Sequence, residues 1–210
     1  MSKIGKSLVL VLVFGFSFCL SAATITWDGG GADNNWSTAA NWDGDVVPGA
    51  GDTAVFNATS GKGCTVNVGV EVAAMTIDTS YAGTVAAGVS TITINSGNFD
   101  VRYGKFNAGT SNLRFTGTGA QIFYYRTSPT PSFYNIENAN SGGSVHFNGC
   151  EINLNKFTAG AGSTTKLNSV RTLNVASLDI QGAAGSLAFV RCNTTNTDPT
   201  TAYTAAAPSK

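Results

Sequence analysis

Hydrophobic and polar residues alternate in short triplets along most of this chain, and the triplets return at a regular spacing. Each triplet places two side chains on one face of an extended strand and one on the other. After residue 23, no stretch of the sequence shows apolar residues at helical spacing. Such triplets end at Ile94, Phe115, Phe147, Leu167 and Leu187, and all but one of the steps between them are nearly equal. A repeat of about 20 residues with two-residue alternation is typical of a β-solenoid, in which successive coils stack. We therefore predict an all-β fold with about six coils over residues 66–190.

The same spacing predicts the interior of the rod. Strands one coil apart would pair in parallel about 4.8 Å from each other, so the five triplet ends would form one inward-facing ladder. The step from Phe115 to Phe147 exceeds the other steps by more than half of a coil. We attribute the excess to a loop that contains Phe123, Pro129 and Pro131, because proline is poor strand material.

Residues 1–23 have the pattern of a secretory signal peptide. A basic start precedes an apolar stretch at positions 8–20, and small residues at 21–23 suit cleavage. The stretch is shorter than the roughly 20 residues that a membrane-spanning helix needs. We expect export, a mature chain beginning at Thr24 and no membrane insertion after cleavage. Lipid attachment at Cys19 is the alternative.

The low content of charged residues limits the kinds of molecule that this protein is expected to bind. Charged residues make up 11% of the chain, against about 25% in ordinary domains. The 12 basic and 12 acidic residues form no basic cluster, so we expect neither a nucleic-acid partner nor an anionic membrane surface. The three cysteines after the signal, Cys64, Cys150 and Cys192, cannot all pair within one chain, and their state is left open.

A tryptophan-rich module precedes the repeats, and we place it at residues 24–62. Its tryptophans are Trp27, Trp36 and Trp42, the only ones in the chain. The first coil of a solenoid has unpaired strand edges and an open core, and each large ring buries about 150–250 Å². We predict that the three rings form a structural cap. Stacking of sugars on exposed rings is an alternative.

Aspartates in this module raise the question of a metal ion. They are Asp28, Asp33, Asp43, Asp45 and Asp52. Their spacing does not match the D-x-[DN]-x-[DN]-G pattern of a calcium loop, and aspartate beside glycine is also typical of turns. We therefore expect no cofactor, with calcium as the alternative.

Titratable residues of the coil region do not form an obvious catalytic set. The acids are spread singly and, in the expected register, no two of them share a ladder: Glu71, Asp78, Asp100, Glu137, Glu151 and Asp179. Cleavage of a polysaccharide needs two facing carboxylates about 5–9.5 Å apart. The single histidine, His146, lies on the outward side of its triplet. We expect a noncatalytic protein, with a polysaccharide lyase or hydrolase as the alternative.

Tyrosine and arginine residues near the expected loop form the best candidate for a binding surface. We assign ligand binding to Tyr103, Tyr124, Tyr125 and Arg126, because tyrosine and arginine carry much of the energy at exposed contact sites. The partner would be a surface glycan or a host or partner protein. Alternatively, Phe123 and one tyrosine only hold the loop against the rod.

Two groups of motifs resemble known proteins. The first is W27-D-G-G, W36-S, N41-W42 and P48-G-A-G-D-T-A-V-F, which resembles the module that opens many long secreted surface proteins of bacteria. The second, in residues 106–109, 113–122, 133–136 and 140–143, is similar to the β-helical repeats that follow such modules. On these motifs the chain resembles autotransporter passengers and haemagglutinin-like adhesins. The resemblance implies a right-handed parallel β-helix at the cell exterior, and such proteins usually carry many more coils and an anchoring domain.

The sequence thus predicts an exported, noncatalytic β-solenoid scaffold of a bacterial cell-surface, adhesin-like protein. A polysaccharide-active or glycan-binding β-helix is the alternative. Its segments would be a signal peptide at 1–23, the tryptophan module, a parallel β-helix at 63–191 and a disordered tail at 192–210. End-to-end self-association through the final coil near Val190 is a further expectation, because that coil has no cap.

Overall fold

A computed structural model describes residues 22–125, 132–149, 151–168, 173–182 and 186–193. Within these ranges there is no α-helix, and two single 3-10 turns lie at Ala39–Asn41 and Asp43–Asp45. None of the described helical segments has the length and apolar character needed to cross a membrane. The strands, in chain order, are β1 (Thr24–Thr26), β2 (Thr53–Phe56), β3 (Cys64–Thr65), β4 (Val70–Val72), β5 (Ala74–Ile77), β6 (Thr84–Ala86), β7 (Thr91–Ile94), β8 (Phe99–Asp100), β9 (Lys105–Asn107), β10 (Asn112–Phe115), β11 (Gln121–Tyr124), β12 (Ser132–Asn138), β13 (Val145–Asn148), β14 (Ile152–Ala159), β15 (Thr164–Asn168), β16 (Leu173–Ile180) and β17 (Phe189–Asn193).

The strands form three sheets in which all pairs are parallel. Sheet A has the order β1-β2-β5-β8-β11-β13-β15-β17, sheet B the order β4-β7-β10-β12-β14-β16, and sheet C the order β3-β6-β9. The chain visits the sheets in turn and advances by one coil with each circuit. The fold is therefore a parallel β-solenoid of about six turns, which confirms the fold class predicted from the alternation.

The number of faces changes along the rod. The first coils have three faces, one for each sheet. After β10 the strands of sheet B lengthen from three or four residues to seven or eight. The ring of Phe133 on β12 stacks 5.6 Å from the ring of Phe106 on β9, so the lengthened strand continues the face of sheet C.

The interior contains several inward-facing columns rather than one ladder. In sheet A the register joins Phe99, Phe123, Phe147 and Leu167 one after another, and Ile94 pairs with Phe115 in sheet B. Leu187 lies outside the strands and is exposed. The prediction that Ile94, Phe115, Phe147, Leu167 and Leu187 share one ladder is therefore wrong. Both sheets repeat at nearly the same interval, so the spacing alone does not tell the faces apart.

The predicted extra loop between Phe115 and Phe147 is wrong for its first residues, which belong to β11. The chain first crosses from Phe115 in sheet B to Phe123 in sheet A, and one ordinary coil then joins Phe123 to its register neighbour Phe147. Phe123 is fully buried within β11 and does not lie on a loop. Pro129 and Pro131 lie outside the described residues.

Other predictions fall partly outside the described ranges. Residues 1–21 of the predicted signal peptide, Arg126 and Cys150 lie outside them, as does the tail from residue 194, although β17 carries the backbone to Asn193. Cys64 is a free, buried thiol, and burial raises its pKa. It therefore behaves as a small hydrophobic residue of the core.

Candidate functional site

The three tryptophans fill the interior of the first coil. The ring centroids of Trp27 and Trp42 are 5.1 Å apart and those of Trp36 and Trp42 are 4.6 Å apart, with the rings edge to face. Each ring also lies within 6.0 Å of Phe56, and all three side chains are buried. Sugar stacking on exposed tryptophan rings is therefore contradicted, because no ring face is open to solvent.

Backbone bonds join the tryptophan-bearing part of the module to the strands β2 and β3 that follow it. Trp27 N–H donates to Val55 O at 2.9 Å, and Trp36 N–H donates to Thr65 O at 2.8 Å. An antiparallel bridge between Trp27 and Trp42 closes the module on itself. The module thus lies where a preceding coil would lie, and its rings cover the core of the first complete coil.

A buried amide, which the sequence interpretation missed, holds the glycine-rich turn of this module. Asn41 Nδ2 donates to Asp33 Oδ1 at 3.1 Å and to Asn35 O at 3.0 Å, and Asn41 Oδ1 accepts from Gly31 N–H at 3.0 Å. Lys62 Nζ donates to Asn41 Oδ1 at 3.2 Å and to Gly31 O at 2.5 Å. An ammonium group therefore lies among the oxygens of this turn. Only the position of Asn41 directly before Trp42 hinted at its burial.

The aspartates of the module mostly cap turns. Asp33 accepts hydrogen bonds from Asn35, Thr38 and Asn41, and the bond from the backbone N–H of Asn35 is the main reason that its pKa is lowered. Asp52 accepts from the N–H groups of Ala23 and Gly49. Within the described part of the chain, no three His, Cys, Asp or Glu side chains are grouped so that they could hold a metal ion. The expectation of no cofactor, with calcium as the alternative, stays a prediction.

An arginine between two tyrosine rings lies on the outer surface of sheet A. Asp100 and Tyr124 are register neighbours on β8 and β11, and Arg102 forms a two-pronged contact with Asp100, with Nη2 to Oδ2 at 2.7 Å and Nε to Oδ1 at 3.0 Å. The guanidinium carbon lies 4.0 Å from the centre of the Tyr124 ring and 5.1 Å from that of Tyr103. The hydrogen bond to Asp100 is the main reason that the pKa of Arg102 is raised. We call Asp100, Arg102, Tyr103 and Tyr124 the Arg102 cluster.

The Arg102 cluster can act as a contact surface. Tyr103 is 55% exposed, and Tyr124 and the guanidinium are partly exposed. Asp100 orients the guanidinium from its edge, which leaves its flat faces for the rings. The cluster therefore presents aromatic surface and a held positive charge together.

The other predicted members do not join this cluster. Tyr125 is only 2% exposed, and its ring centroid lies 4.7 Å from that of Phe123, so its assignment to an exposed binding surface is wrong. Side chains alternate along β11, and the alternation that turns Tyr124 outward turns its neighbour inward. A tyrosine outside that prediction, Tyr134, is also exposed but lies on β12 of sheet B. Arg126 lies outside the described residues.

Three acids share one outward column of sheet B, contrary to the sequence expectation. The register order in this column is Glu71, Thr93, Arg114, Glu137, Thr158 and Asp179. Glu137 and Asp179 are two coils apart, roughly 9.6 Å along the rod. Each contacts a cation, Glu137 at 3.1 Å from Arg114 and Asp179 at 3.2 Å from Lys156. The hydrogen bond from Lys156 is the main reason that the pKa of Asp179 is lowered.

The single histidine lies on the outer face of sheet A. His146 Nε2 is 3.0 Å from Ser144 Oγ, and the neighbour in register on β15 is Lys166. Partial burial, followed by the charge of Lys166, lowers the pKa of His146. That the protein is not an enzyme stays a prediction.

The fold and its surface define a parallel β-solenoid with a tryptophan-rich module at its start. The chain matches no family model, and no match was found among curated proteins or solved structures.

Proposed function

We propose that this protein is an exported, noncatalytic scaffold of the bacterial cell surface, of the adhesin-like kind. The observation that carries the proposal is the continuity of the rod. Parallel sheets and one apolar interior run through the described coils without a break. About six coils at about 4.8 Å each span roughly 30 Å, so an exposed loop is held at a fixed distance along the rod.

The outer surface supports the same proposal. Uncharged side chains bond from one coil to the next, as where Asn155 Nδ2 donates to Asn135 Oδ1 at 3.1 Å and Asn174 Nδ2 to Asn153 Oδ1 at 3.0 Å. Such a surface is hydrated without many charges, which agrees with the low charged fraction of the chain. The signal-like segment at 1–23 and the resemblance to bacterial adhesins favour export.

The tryptophan module fits this scaffold as its N-terminal cap. A solenoid end needs a cover because an open core and free strand edges promote association. Trp27, Trp36 and Trp42 bury their rings over Phe56 at that end. The module would therefore protect one end of the rod.

Cell fractionation tests export. The full chain, with an epitope tag at its C-terminus, is expressed in a bacterial host and followed in cytoplasmic, envelope and culture fractions. We expect a shortened product outside the cytoplasm, and protease added to whole cells should remove any surface-bound fraction. A matched chain that begins at Thr24 should stay in the cytoplasm. An uncleaved full chain found only in the cytoplasm would contradict the proposal.

Glycan binding at the Arg102 cluster is the second candidate, because its two rings and its cation lie together at the surface. A glycan array compares the unchanged protein with a Tyr103→Ala/Tyr124→Ala variant. The control is Tyr134→Ala, which removes an exposed tyrosine from another sheet. We expect binding to be lost only in the double variant, with little change in thermal melting. Equal losses in the control, or no glycan bound by the unchanged protein, would argue against this site, and turnover of a polysaccharide would argue against a noncatalytic role.

A further inference from the structure

Within the described residues, the two ends of the solenoid differ in how well their cores are covered. At the N-terminal end the inward-facing tryptophans are buried. At the other end, β16 is the last described strand of sheet B, and its inward positions Leu178 and Ile180 are 43% and 53% exposed. The register neighbours of these two residues on β14, Phe157 and Ala159, are completely buried. The final described coil therefore presents core positions to solvent.

The residue pattern of β16 reads the same in both directions. The strand is LNVASLDI, with apolar residues at its first, third, sixth and eighth positions, polar residues at the second and seventh, and small residues in the centre. A two-fold axis between Ala176 and Ser177 would place every apolar residue of one copy opposite an apolar residue of another. Leu173 would face Ile180 of the second copy, and Val175 would face Leu178 of the second copy.

We propose that β16 pairs antiparallel with β16 of a second copy of this chain, so that two solenoids join at their C-terminal ends. The open core of each copy then covers the open core of the other. The edge pairing supplies backbone hydrogen bonds, and the four apolar residues of each strand supply buried surface.

The bend of the strand is compatible with this symmetry. The register neighbours of Val175 and Leu178 are Leu154 and Phe157, which are both buried although an odd number of positions separates them. A straight strand would turn one of them outward, so the strand bends between them. The bend lies at the centre of the palindrome. A two-fold axis through the bend therefore maps one half of the strand onto the other and keeps the inner side facing inward.

Backbone and charge also allow the contact. Gln181 N–H donates to Ala159 O at 2.8 Å, so the alternation of the strand directs the N–H groups of Ile180 and Leu178 away from β14. Asp179 is the only charged residue of β16, and it would face Asn174 of the second copy, which carries no charge and therefore does not repel it. The two copies of Asp179 would lie roughly 16 Å apart, beyond the screening length of about 8 Å at physiological salt.

The difference between the ends predicts a closed pair instead of a fibre. A head-to-tail contact would repeat without limit, but it needs an open surface at the N-terminal end. There the tryptophan module covers the core. A contact between two identical C-terminal ends occupies both ends, so assembly stops at two chains. The expectation of end-to-end association is thereby narrowed to a dimer.

Light scattering after size-exclusion chromatography tests the pairing. The protein that begins at Thr24, the expected mature start, is measured over a wide range of concentration. We expect twice the mass of one chain, falling toward a single mass on dilution. Val175→Lys/Leu178→Lys places like charges opposite each other and should give a single mass. Val175→Glu/Leu178→Lys places opposite charges in the same positions and should restore the doubled mass.

A matched control tests whether the effect of an added lysine depends on its position in β16. Leu178→Lys should weaken the dimer, whereas Thr158→Lys, which adds the same charge to the outer face of β14, should leave it unchanged. Circular dichroism confirms that each variant has kept its strands.

Several results would overturn the proposal. A single mass for the unchanged protein at every concentration would do so, and so would a mass that grows without limit. Failure of the Glu/Lys variant to pair while it remains folded would reject the two-fold register. A dimer seen only when the chain is ended at Asn193 would mean that residues 194–210 cover this end.

Discussion

The tryptophan cluster offers a matched set of substitutions that differ mainly in one hydrogen bond. Trp42 Nε1 donates to Trp36 O at 2.7 Å, and Trp27 Nε1 donates to Lys62 O at 2.9 Å. Trp36 Nε1 is buried and has no hydrogen-bond partner in the described structure. Replacing each tryptophan by phenylalanine removes the same atoms from the same buried cluster. We expect the free energy of unfolding to fall least for Trp36→Phe and most for Trp42→Phe.

The expected difference follows from the polar groups that each substitution leaves behind. Trp42→Phe leaves the buried Trp36 carbonyl without its donor, which costs about 1–3 kcal/mol. Trp36→Phe removes a buried donor that has no partner. The folded protein then no longer carries the desolvation penalty of that donor, about 1–3 kcal/mol. The loss of ring volume is nearly the same in both and cancels in the comparison. The two variants should therefore differ by the sum of the two effects, about 2–6 kcal/mol.

Trp27→Phe provides an internal standard. Trp27→Phe removes the indole donor to the Lys62 carbonyl. That oxygen also accepts a hydrogen bond from the Tyr81 hydroxyl at 2.6 Å, so it keeps one partner. Its loss of stability should lie between those of the other two variants.

Urea unfolding followed by far-ultraviolet circular dichroism measures all three, because this signal is dominated by the backbone of the strands, and each transition is fitted with its own folded and unfolded baselines. The slopes of the transitions should agree, so that the shifts in midpoint report stability. Equal losses for Trp36→Phe and Trp42→Phe would refute the reasoning, since ring volume alone would then explain them.

The other predictions concern the core, the glycine-rich turn and the histidine. Phe123→Ala should lower the free energy of unfolding by about 3–5 kcal/mol in urea, and Phe123→Leu by much less, because Phe123 is fully buried among other rings; equal effects would contradict this. Lys62→Met should lower the melting temperature, because Nζ bonds three oxygens, whereas Lys105→Met, which loses one bond of 3.4 Å, should not; the reverse order would contradict this. The lowered pKa of His146 means that the folded protein favours the neutral ring. The free energy of unfolding should therefore fall as the pH drops below 6.5, because the unfolded chain binds the proton more readily. His146→Gln should remove this pH dependence. The single proton resonance of His146, titrating at or above 6.5, would contradict the last prediction.

The sequence was enough to predict the architecture but not the assignment of residues to faces. Alternation with a repeat of about 20 residues is a local signal, and it correctly indicated a stacked parallel fold. It misplaced Phe147 and Leu167 because sheets A and B repeat at nearly the same interval. Which face a strand joins depends on where each corner lies, and corners of Gly, Asn and Ser leave little trace in a hydrophobic pattern.

The candidate surface was predicted in part. Tyr103 and Tyr124 were identified as exposed contact residues, and they do lie together around Arg102. Tyr125 was assigned to the same surface, although adjacent strand residues point in opposite directions. Asn41 was missed, because its neighbours give no sign that its amide is satisfied inside the fold.

The sequence by itself determined that this chain builds strands, that it stacks them and that its tryptophans lie at one end, because two-residue alternation, repeat length and composition act locally. Only the tertiary structure decided which residues became vertical neighbours, which tyrosine faces solvent and which inward positions of the last described coil are exposed. Those outcomes depend on contacts between residues that lie a full coil or more apart, and the geometry of the corners sets which residues meet.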